Sequence, residues 1–225
     1  MNKNSALIVG ASGLVGGFCL SNLLASGSYN KVIVLVRKPL PTTHPKLEQH
    51  VVDSDNLQQS SQLIKADDVF CTLGTTIRKA GSQEAFEKVD YTYPVEVAGF
   101  AVANGAKQFL IVTAIGANAS SSVFYNRVKG KVEEAIKALP FRSVHIFQPS
   151  FLLGERTEKR TGEKLGILLT RALSPLLVGG LRKYRGIEAR VVASVMVTAA
   201  SKEQSGIHIY RSDMIQNIFD GESKK

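Results

Sequence analysis

An apolar run near the N-terminus passes directly into a glycine-rich turn. The run covers residues 6–9, and the turn carries Gly10, Gly13 and Gly16 ahead of the apolar positions of a helix. In such a strand–turn–helix unit the first glycine allows the tight turn, the second lets the backbone approach a pyrophosphate, and the third lets the helix pack close to the strand. Unpaired N–H groups and the positive end of the helix dipole favour an anion there. The stretch therefore predicts a dinucleotide-binding loop.

The glycine spacing is Gly-x-x-Gly-x-x-Gly rather than Gly-x-Gly-x-x-Gly, so the glycines alone are a moderate signal. A turn that needs small residues only for packing is the alternative. We predict further contacts to the nucleotide from the Ser12 hydroxyl and from the first helical residues, Leu14 and Val15.

The second predicted strand ends in two basic residues. A strand is predicted over residues 31–36, because residues 32–36 are a continuous apolar run, as in buried parallel strands, and Arg37 and Lys38 follow. In a dinucleotide fold this strand end faces the adenosine ribose, where an acid binds the 2′-hydroxyl and an arginine accommodates a 2′-phosphate. The two residues indicate NADP(H) rather than NAD; two solvated charges at a strand end are the alternative. A third strand is predicted over residues 47–53, and Asp53 at its end is expected near the adenine or on an exposed turn.

The rest of the chain alternates predicted strands and helices. Further strands are predicted at residues 68–73, 107–113, 141–148 and 206–210. Helices are predicted around residues 57–64, 82–104, 191–200 and 212–219, and after the serines at 120–122. The helix over residues 82–104 is expected to bend at Pro94 and to end at Gly105. This alternation predicts an α/β fold, a doubly wound and mostly parallel Rossmann sheet with helices on both faces. We expect one domain over residues 1–225, in which residues 151–225 form a short substrate-side region.

Tyr125 and Lys129 lie four residues apart in the helix that follows the fifth strand, which places them on one helix face. An ammonium group beside a phenol stabilises the phenolate, so the phenol can exchange a proton with a carbonyl or an alcohol. The lysine can also bind the nicotinamide ribose. The spacing is common, and a surface ion pair between Lys129 and Glu133 is the alternative. The position after strand five favours the catalytic interpretation.

The net charge of +9 favours anionic partners without choosing among them. Residues 155–190 carry nine basic and four acidic side chains, but no nucleic-acid-binding motif accompanies them, so we expect no nucleic acid partner. Residues 165–178 are apolar nearly all round. Three roles stay open for this stretch: a cover over the cofactor crevice, a homodimer contact, or a weaker contact with a membrane surface.

The sequence contains no apolar run long enough to span a membrane and no signal-peptide pattern, so we expect a cytoplasmic protein. Cys19 and Cys71 fall in apolar segments, which favours two reduced core residues over a disulfide. We expect no metal site.

Further short segments accompany the glycine turn and the tyrosine–lysine pair. They are Cys-Thr-Leu-Gly-Thr-Thr at 71–76, Lys-Ala-Gly at 79–81, Val-Asp at 89–90, Val-Lys-Gly-Lys-Val-Glu at 128–133 and Gln-Pro at 148–149. With these, roughly residues 5–200 resemble the atypical and extended short-chain dehydrogenase/reductases, in particular the small NADPH-binding subgroup that contains the Tat-interactive oxidoreductase.

The resemblance implies a Rossmann fold with NADP(H) and a tyrosine–lysine catalytic pair. It implies that Leu73, Gly74 and Thr75 line the cofactor and that Pro149 approaches the nicotinamide. The family also uses a serine or threonine after strand five to hold the substrate oxygen, and Thr113 has a suitable spacing from the tyrosine.

The neighbours of Thr113 are Ala114 and Ile115, where relatives often have further hydroxyls, so Ser121 and Ser122 are alternatives for the third catalytic residue. The expected function is NADPH-dependent reduction of a small carbonyl substrate. The alternative is an NADPH-binding regulatory or redox-sensing protein without substantial turnover. A nucleotide-sugar epimerase or dehydratase is less favoured, because the region after Pro149 is shorter than the sugar-binding lobe of those enzymes.

Overall fold

The computed structural model describes residues 4–154 and 179–222. Its strands are β1 Asn4–Val9, β2 Tyr29–Val36, β3 Leu47–Val51, β4 Asp68–Cys71, β5 Gln108–Val112, β6 Ser143–Gln148, β7 Leu152–Leu153, β8 Ile187–Glu188 and β9 Gly206–Arg211. Seven of them form one sheet in the order β3-β2-β1-β4-β5-β6-β9, and every neighbouring pair is parallel. The short strands β7 and β8 pair separately.

The helices lie between the strands in the chain and cover both faces of the sheet. They are α1 Leu14–Ala25, α2 Ile77–Ala80, α3 Gln83–Glu87, α4 Tyr93–Ala103, α5 Phe124–Lys137, α6 Ala189–Ser201 and α7 Ser212–Glu222. On β1, Ala6 and Ile8 face the cluster that holds α1 and α6, whereas Leu7 and Val9 face the cluster that holds α4 and α5. The expected doubly wound α/β fold is confirmed.

The strand order reverses between β1 and β4. The chain runs outward from β1 through β2 to β3, and outward from β4 through β5 to β6. Val9 on β1 is in register with Cys71 on β4, so the loops that leave these two strands begin side by side. Open α/β sheets bind ligands at such a reversal, at the carboxyl ends of the strands.

The segment predicted as a helix around residues 57–64 has a different form. Ser54–Leu63 is 3₁₀-helical, and it is interrupted at Asn56, whose backbone angles are not helical. Most of its side chains are polar, and Leu57 is its buried residue, so little apolar surface is available to hold a regular α-helix against the sheet.

The long helix predicted over residues 82–104 is interrupted just before its midpoint. Lys88–Thr92, between α3 and α4, has π-helical geometry, and the Tyr93 N–H donates to the Lys88 carbonyl five residues earlier. Pro94 follows and has no N–H to donate to the carbonyl four residues before it. The interruption lies just before Pro94, where the sequence predicts a bend, and it takes the form of a π turn.

The predicted apolar stretch at residues 165–178 and most of the basic segment at residues 155–190 lie outside the described residues. Within residues 4–154 and 179–222, no helix combines the length and the apolar character that crossing a bilayer needs.

A buried chain of polar groups joins β6 to the edge strand β9. Ser143 Oγ donates to the Gln204 carbonyl (2.6 Å) and lies 2.8 Å from His145 Nε2, while His145 Nδ1 lies 3.0 Å from the Tyr210 hydroxyl. These partners fit a neutral imidazole that donates from Nε2 and accepts at Nδ1. Burial, followed by the nearby His208, lowers the pKa of His145 to about 4.

We expect His145→Phe to remove a pH-dependent part of the stability. The unfolded imidazole has a pKa of about 6.5, so between pH 6.5 and 4 the unfolded state binds more protons and the wild-type protein loses stability as the pH falls. The stability of wild type relative to the variant should decrease by about 2–3 kcal/mol between pH 7.5 and 4.5, measured by urea unfolding.

Asp68 does not disturb this comparison. Its burial raises its pKa to about 6, which opposes the histidine effect over an overlapping pH range, but Asp68 is present in both proteins. An identical pH dependence of unfolding in the two proteins would contradict the assignment of a neutral, buried His145.

Candidate active site

Three glycines close the loop between β1 and α1. Gly10 has a φ of +85°, and a Cβ there would lie 2.7 Å from the Thr72 carbonyl carbon. A Cβ on Gly16 would overlap the Gly10 carbonyl oxygen and lie 2.6 Å from Thr72 Oγ1. The Gly13 N–H donates to the Gly10 carbonyl (2.9 Å). The backbones of the helix, the turn and the loop after β4 are therefore in direct contact. A side chain at Gly10 or Gly16 would prevent this close approach.

The N-terminus of α1 is suited to an anion. Gly13 is the N-cap residue, no side chain caps the helix, and its first turn contains no acidic residue. The first-turn N–H groups, which have no partner inside a helix, remain for a ligand phosphate. Ser12 is exposed beside them and Leu14 is half-buried. The Val15 side chain is buried in the core, so a nucleotide contact there would involve its backbone.

The end of β2 carries free positive charge. Arg37 and Lys38 are exposed directly after the strand, and neither has a hydrogen-bond or ion-pair partner among residues 4–154 and 179–222. The Val52 N–H donates to the Val36 carbonyl (2.9 Å), which holds Asp53 next to this strand end. Asp53 Oδ1 accepts from the Asp55 N–H (2.9 Å) and thus caps the 3₁₀ segment, while the carboxylate stays exposed.

The loop after β4 is fixed by Asp90, which is buried in the π turn. Asp90 Oδ2 accepts from the Thr75 N–H (2.9 Å), and Asp90 Oδ1 lies 2.7 Å from Lys129 Nζ. Both side chains of this ion pair are buried. A Cβ on Gly74 would come within 3.6 Å of Asp90 Oδ1 and 3.8 Å of Lys129 Nζ, so the predicted cofactor loop, with half-buried Leu73, lies directly against the pair.

The structure places Tyr125 and Lys129 on α5, one turn apart. The Tyr125 ring is half-buried and packs on Phe86 of α3, with ring centroids 5.6 Å apart. Burial disfavours the charged form of Lys129, but Asp90 and then Tyr125 act in the opposite direction, and the pKa of Lys129 lies above its ordinary value. The ammonium is therefore charged at neutral pH. The alternative pairing of Lys129 with Glu133 is not present.

Gly130 determines how closely α5 approaches the sheet. A Cβ at this position would overlap the backbone of Asn118 and Ala119, in the loop that joins β5 to α5. The Asn118 N–H also donates to the Asn126 carbonyl (3.0 Å). The helix residue after Lys129 is therefore in direct contact with its own preceding loop, which fixes the helix that carries the pair.

Thr113 does not join Tyr125 and Lys129. Its buried hydroxyl donates to Glu133 Oε1 (2.6 Å), and Gln148 Nε2 donates to both oxygens of the same carboxylate (3.0 Å each). Glu133 lies two helical turns beyond Tyr125, roughly 12 Å along the helix axis. The Thr113 hydrogen is already donated to a protein carboxylate, and the role of Thr113 in orienting a substrate oxygen stays a prediction.

The alternatives for the third residue lie closer to Tyr125. Ser121 Oγ accepts from the Val123 N–H (3.1 Å) and Ser122 is exposed, both just ahead of α5.

Pro149 directly follows β6. It is buried, and its carbonyl accepts from the Ile115 N–H (3.0 Å). The next residue, Ser150, donates its N–H to Ser212 Oγ (2.8 Å). Beyond Ser212 lies a cavity of about 370 Å³. Its charged and polar lining consists of Arg182, Arg185, Ser212, Asp213, Gln216, Asn217 and Asp220.

Asp90 entered the sequence-based predictions only as part of a short motif, and Glu133 only as a possible surface partner of Lys129. The sequence signal of an irregular helix at Asp90 was Pro94. A proline has no N–H to donate to the carbonyl four residues earlier, and here that carbonyl belongs to Asp90. For Glu133, an acid on the predicted buried face of an amphipathic helix was a signal of a buried hydrogen-bonded carboxylate.

Comparison with known families matches residues 36–174 to the HIM1 family. The chain is 38% identical to the rat protein HTATIP2 over 169 residues, which is 73% of this chain and 69% of that protein. It is 32% identical to the mitochondrial protein FMP52 of Eremothecium gossypii over 221 residues, which is 97% of this chain and 99% of that protein.

Solved structures share the fold at low sequence identity. MoeE5 in complex with UDP-glucose and NAD has a TM-score of 0.68 at 16% identity, with coverage of 98% of this chain and 82% of MoeE5. The oxidoreductase ylbE of Lactococcus lactis has a TM-score of 0.65 at 16% identity, with coverage of 98% and 97%. These similarities confirm the Rossmann fold.

The expectation of a cytoplasmic protein is overturned by these relatives. The fungal FMP52 proteins that match over most of the chain are named as mitochondrial. The absence of a signal-peptide pattern could not distinguish the two compartments.

We expect Gly16→Ala to disrupt the site, because the added methyl group must displace the Gly10 carbonyl or the Thr72 side chain. The cost should be about 1–3 kcal/mol of unfolding free energy, with at least tenfold weaker nucleotide binding. The matched control is Gly17→Ala, whose Cβ would meet Ala11 O at an ordinary 3.7 Å. It should keep binding and gain up to about 1 kcal/mol, since alanine favours a helix. Equal effects of the two substitutions in thermal unfolding and calorimetry would contradict the close approach at Gly16.

Proposed function

The chain belongs to the HIM1 family, and from that premise we propose that it is an NADP(H)-dependent oxidoreductase that reduces a small carbonyl substrate. One observation carries the proposal. Tyr125 and a charged Lys129 lie one helical turn apart, and Lys129 lies against the Gly74 loop at the strand-order reversal of a dinucleotide-binding sheet. A phenol beside an ammonium group at this place is suited to proton transfer at a carbonyl oxygen.

Different residues would bind the cofactor and transfer the proton. The first-turn N–H groups of α1 would bind the pyrophosphate, and the loop of Leu73, Gly74 and Thr75 would line the nucleotide. The bound cofactor would supply the hydride. Tyr125 would give its proton to the substrate oxygen, and the Lys129 ammonium would stabilise the phenolate that remains.

A preference for NADP(H) over NAD is supported by Arg37 and Lys38 after β2, whose side chains have no partner in the part of the chain that the structure describes. An arginine there can bind a 2′-phosphate, whereas NAD-specific folds place an acid at this strand end. Asp53 is close to the same edge, but its carboxylate already caps the 3₁₀ segment. We therefore assign it a smaller part in nucleotide binding.

We infer that the substrate is a small molecule bound on the side of Pro149 and Ser150, within a single domain. The support is the position of Pro149, which the family resemblance places beside the nicotinamide. The cavity at Ser212 is not assigned to the substrate, because neither Tyr125 nor Lys129 lines it. A nucleotide-sugar epimerase is less well supported, because the chain spans 82% of a UDP-N-acetylglucosamine 4-epimerase from Methanobrevibacter ruminantium but 97% of the oxidoreductase ylbE.

A second candidate function is an NADPH-binding regulatory or redox-sensing protein with little turnover. The observation that favours it is the hydroxyl of Thr113, which donates to Glu133 and leaves the tyrosine–lysine pair without that partner. The two functions differ in whether bound NADPH is oxidised by added aldehydes, ketones or quinones.

We expect Tyr125→Phe to reduce kcat by about 10²–10⁴-fold, because the variant has no proton to donate, while the NADPH Kd changes only a few-fold. The measurement is NADPH oxidation across a panel of carbonyl compounds. Tyr93→Phe is the matched control, since the Tyr93 hydroxyl hydrogen-bonds Asp55 away from Lys129. A Tyr125→Phe protein with wild-type turnover would refute the role, and a wild-type protein that oxidises no NADPH would favour the sensor.

We expect Arg37→Ala to weaken NADPH binding by about tenfold and to leave NADH binding nearly unchanged, because a charge-assisted contact to the 2′-phosphate is lost. Isothermal titration of both nucleotides into wild type and variant measures this. Arg142→Ala serves as the control, because Arg142 is an exposed arginine just before the amino end of β6. If neither nucleotide binds the wild-type protein, the glycine turn is only a packing element.

A further inference from the structure

Asp90 contacts two separate parts of the candidate site with one carboxylate. It is 1% exposed. Oδ2 accepts from the backbone N–H of Thr75, in the loop after β4, and Oδ1 forms an ion pair with Lys129 on α5. Burying a carboxylate without partners costs folding free energy, so both contacts stabilise the buried side chain.

The π turn explains why an aspartate can occupy this place. Because the Tyr93 N–H bonds the Lys88 carbonyl and Pro94 has no N–H, the helix is locally widened at Asp90. In the same region α5 contacts the π turn. The irregular helix thereby presents a carboxylate between α5 and the loop after β4.

Three ionisable groups face the Lys129 ammonium among the described residues. Asp90 lies on the π turn, Cys71 on β4 and Tyr125 on the same helix as the lysine. Burial alone would favour a neutral amine, and Asp90 is the largest influence in the opposite direction. The charge on Lys129 therefore depends on Asp90.

We propose that Asp90 is a positioning residue that keeps Lys129 charged and fixed one turn from Tyr125 while it holds the Leu73–Gly74–Thr75 loop in place. The catalytic use of Lys129 in this statement rests on the proposed function. The link itself is a property of the protein without ligand: the loop that lines the nucleotide and the lysine that supports proton transfer share one anchor.

The variant Asp90→Asn removes the negative charge of the side chain and keeps its shape. Its amide oxygen can still accept from the Thr75 N–H, but it carries no charge to oppose burial of the lysine. We expect the titration midpoint of Lys129 to fall by at least one pH unit. The probe is the NMR signal of the Lys129 side chain in lysine-labelled protein without cofactor or substrate, assigned by its absence from Lys129→Met.

Asp67→Asn is the matched control. Asp67 pairs with Lys107 at 2.8 Å in a half-exposed position, and it raises the pKa of that lysine. This variant should lower the midpoint of Lys107 and leave Lys129 unchanged. An unchanged Lys129 midpoint in Asp90→Asn would overturn the proposal.

If Asp90→Asn does not fold, the unfolding temperatures of two other variants test the proposal. Lys129→Met alone leaves the buried carboxylate unpaired, so the double variant Asp90→Asn with Lys129→Met should unfold at a higher temperature than Lys129→Met. A double variant that is no more stable than Lys129→Met would show that the two side chains are not coupled, which contradicts the proposal.

Activity gives a separate result. If the wild-type protein oxidises NADPH, the alkaline limb of its pH–rate profile should move to lower pH in Asp90→Asn and stay in place in Asp67→Asn. A profile that does not move contradicts the proposal even if kcat falls. If the wild-type protein shows no turnover, the proposed function fails, and the Lys129 titration still decides the role of Asp90.

Discussion

The contact between the start of α1 and the backbone that leaves β1 and β4 is the constraint on which the rest of the site depends. Gly16 packs against the Gly10 carbonyl, and Gly10 packs against Thr72 and Leu73. The parallel register that pairs Val9 with Cys71 brings these loops together, and only residues without a Cβ permit the distance. The position of the helix N-terminus follows from this contact, and so does the position of the loop that Asp90 holds.

Buried carboxylates organise the space between the sheet and its helices. Asp68 accepts from Tyr29 and Gln108, whereas Glu133 accepts from Thr113 and Gln148. These four donors are neutral, although the half-buried ammonium of Lys137 also lies 3.8 Å from Glu133 Oε2. Asp90 is different, because its ammonium partner, Lys129, is itself buried and lies at 2.7 Å. Neutral donors satisfy a carboxylate without placing a second charge in the interior, whereas the pair at Asp90 places a charged group where the proposed chemistry needs one.

Much of the fold was predictable from the sequence, because buried parallel strands are continuous apolar runs and their ends are marked by glycine, proline and charge. The glycine turn and the tyrosine–lysine spacing were predictable for the same reason: each is local. The partner of Lys129 was not, since Asp90 lies on a different element and reaches it through a π turn. The hydrogen bond from Thr113 to Glu133 was not predictable either, because sequence spacing does not determine which side chain across the fold accepts that hydrogen. The 3₁₀ form of Ser54–Leu63 depends on how little apolar surface it buries, which tertiary packing decides.

The packing of α6 on α1 has a consequence for how the protein is made. Val15, Cys19 and Leu23 near the start of the chain share one core cluster with Val192, Val195 and Met196 near its end. On the ribosome, the first helix emerges long before the helix that covers it, and until then its apolar face has no partner. The glycine loop is the first part of the site to be synthesised, yet the core beneath it is completed only once α6 has been added. Nascent chains that stop before α6 would therefore expose that face, which makes them targets for chaperones and proteases.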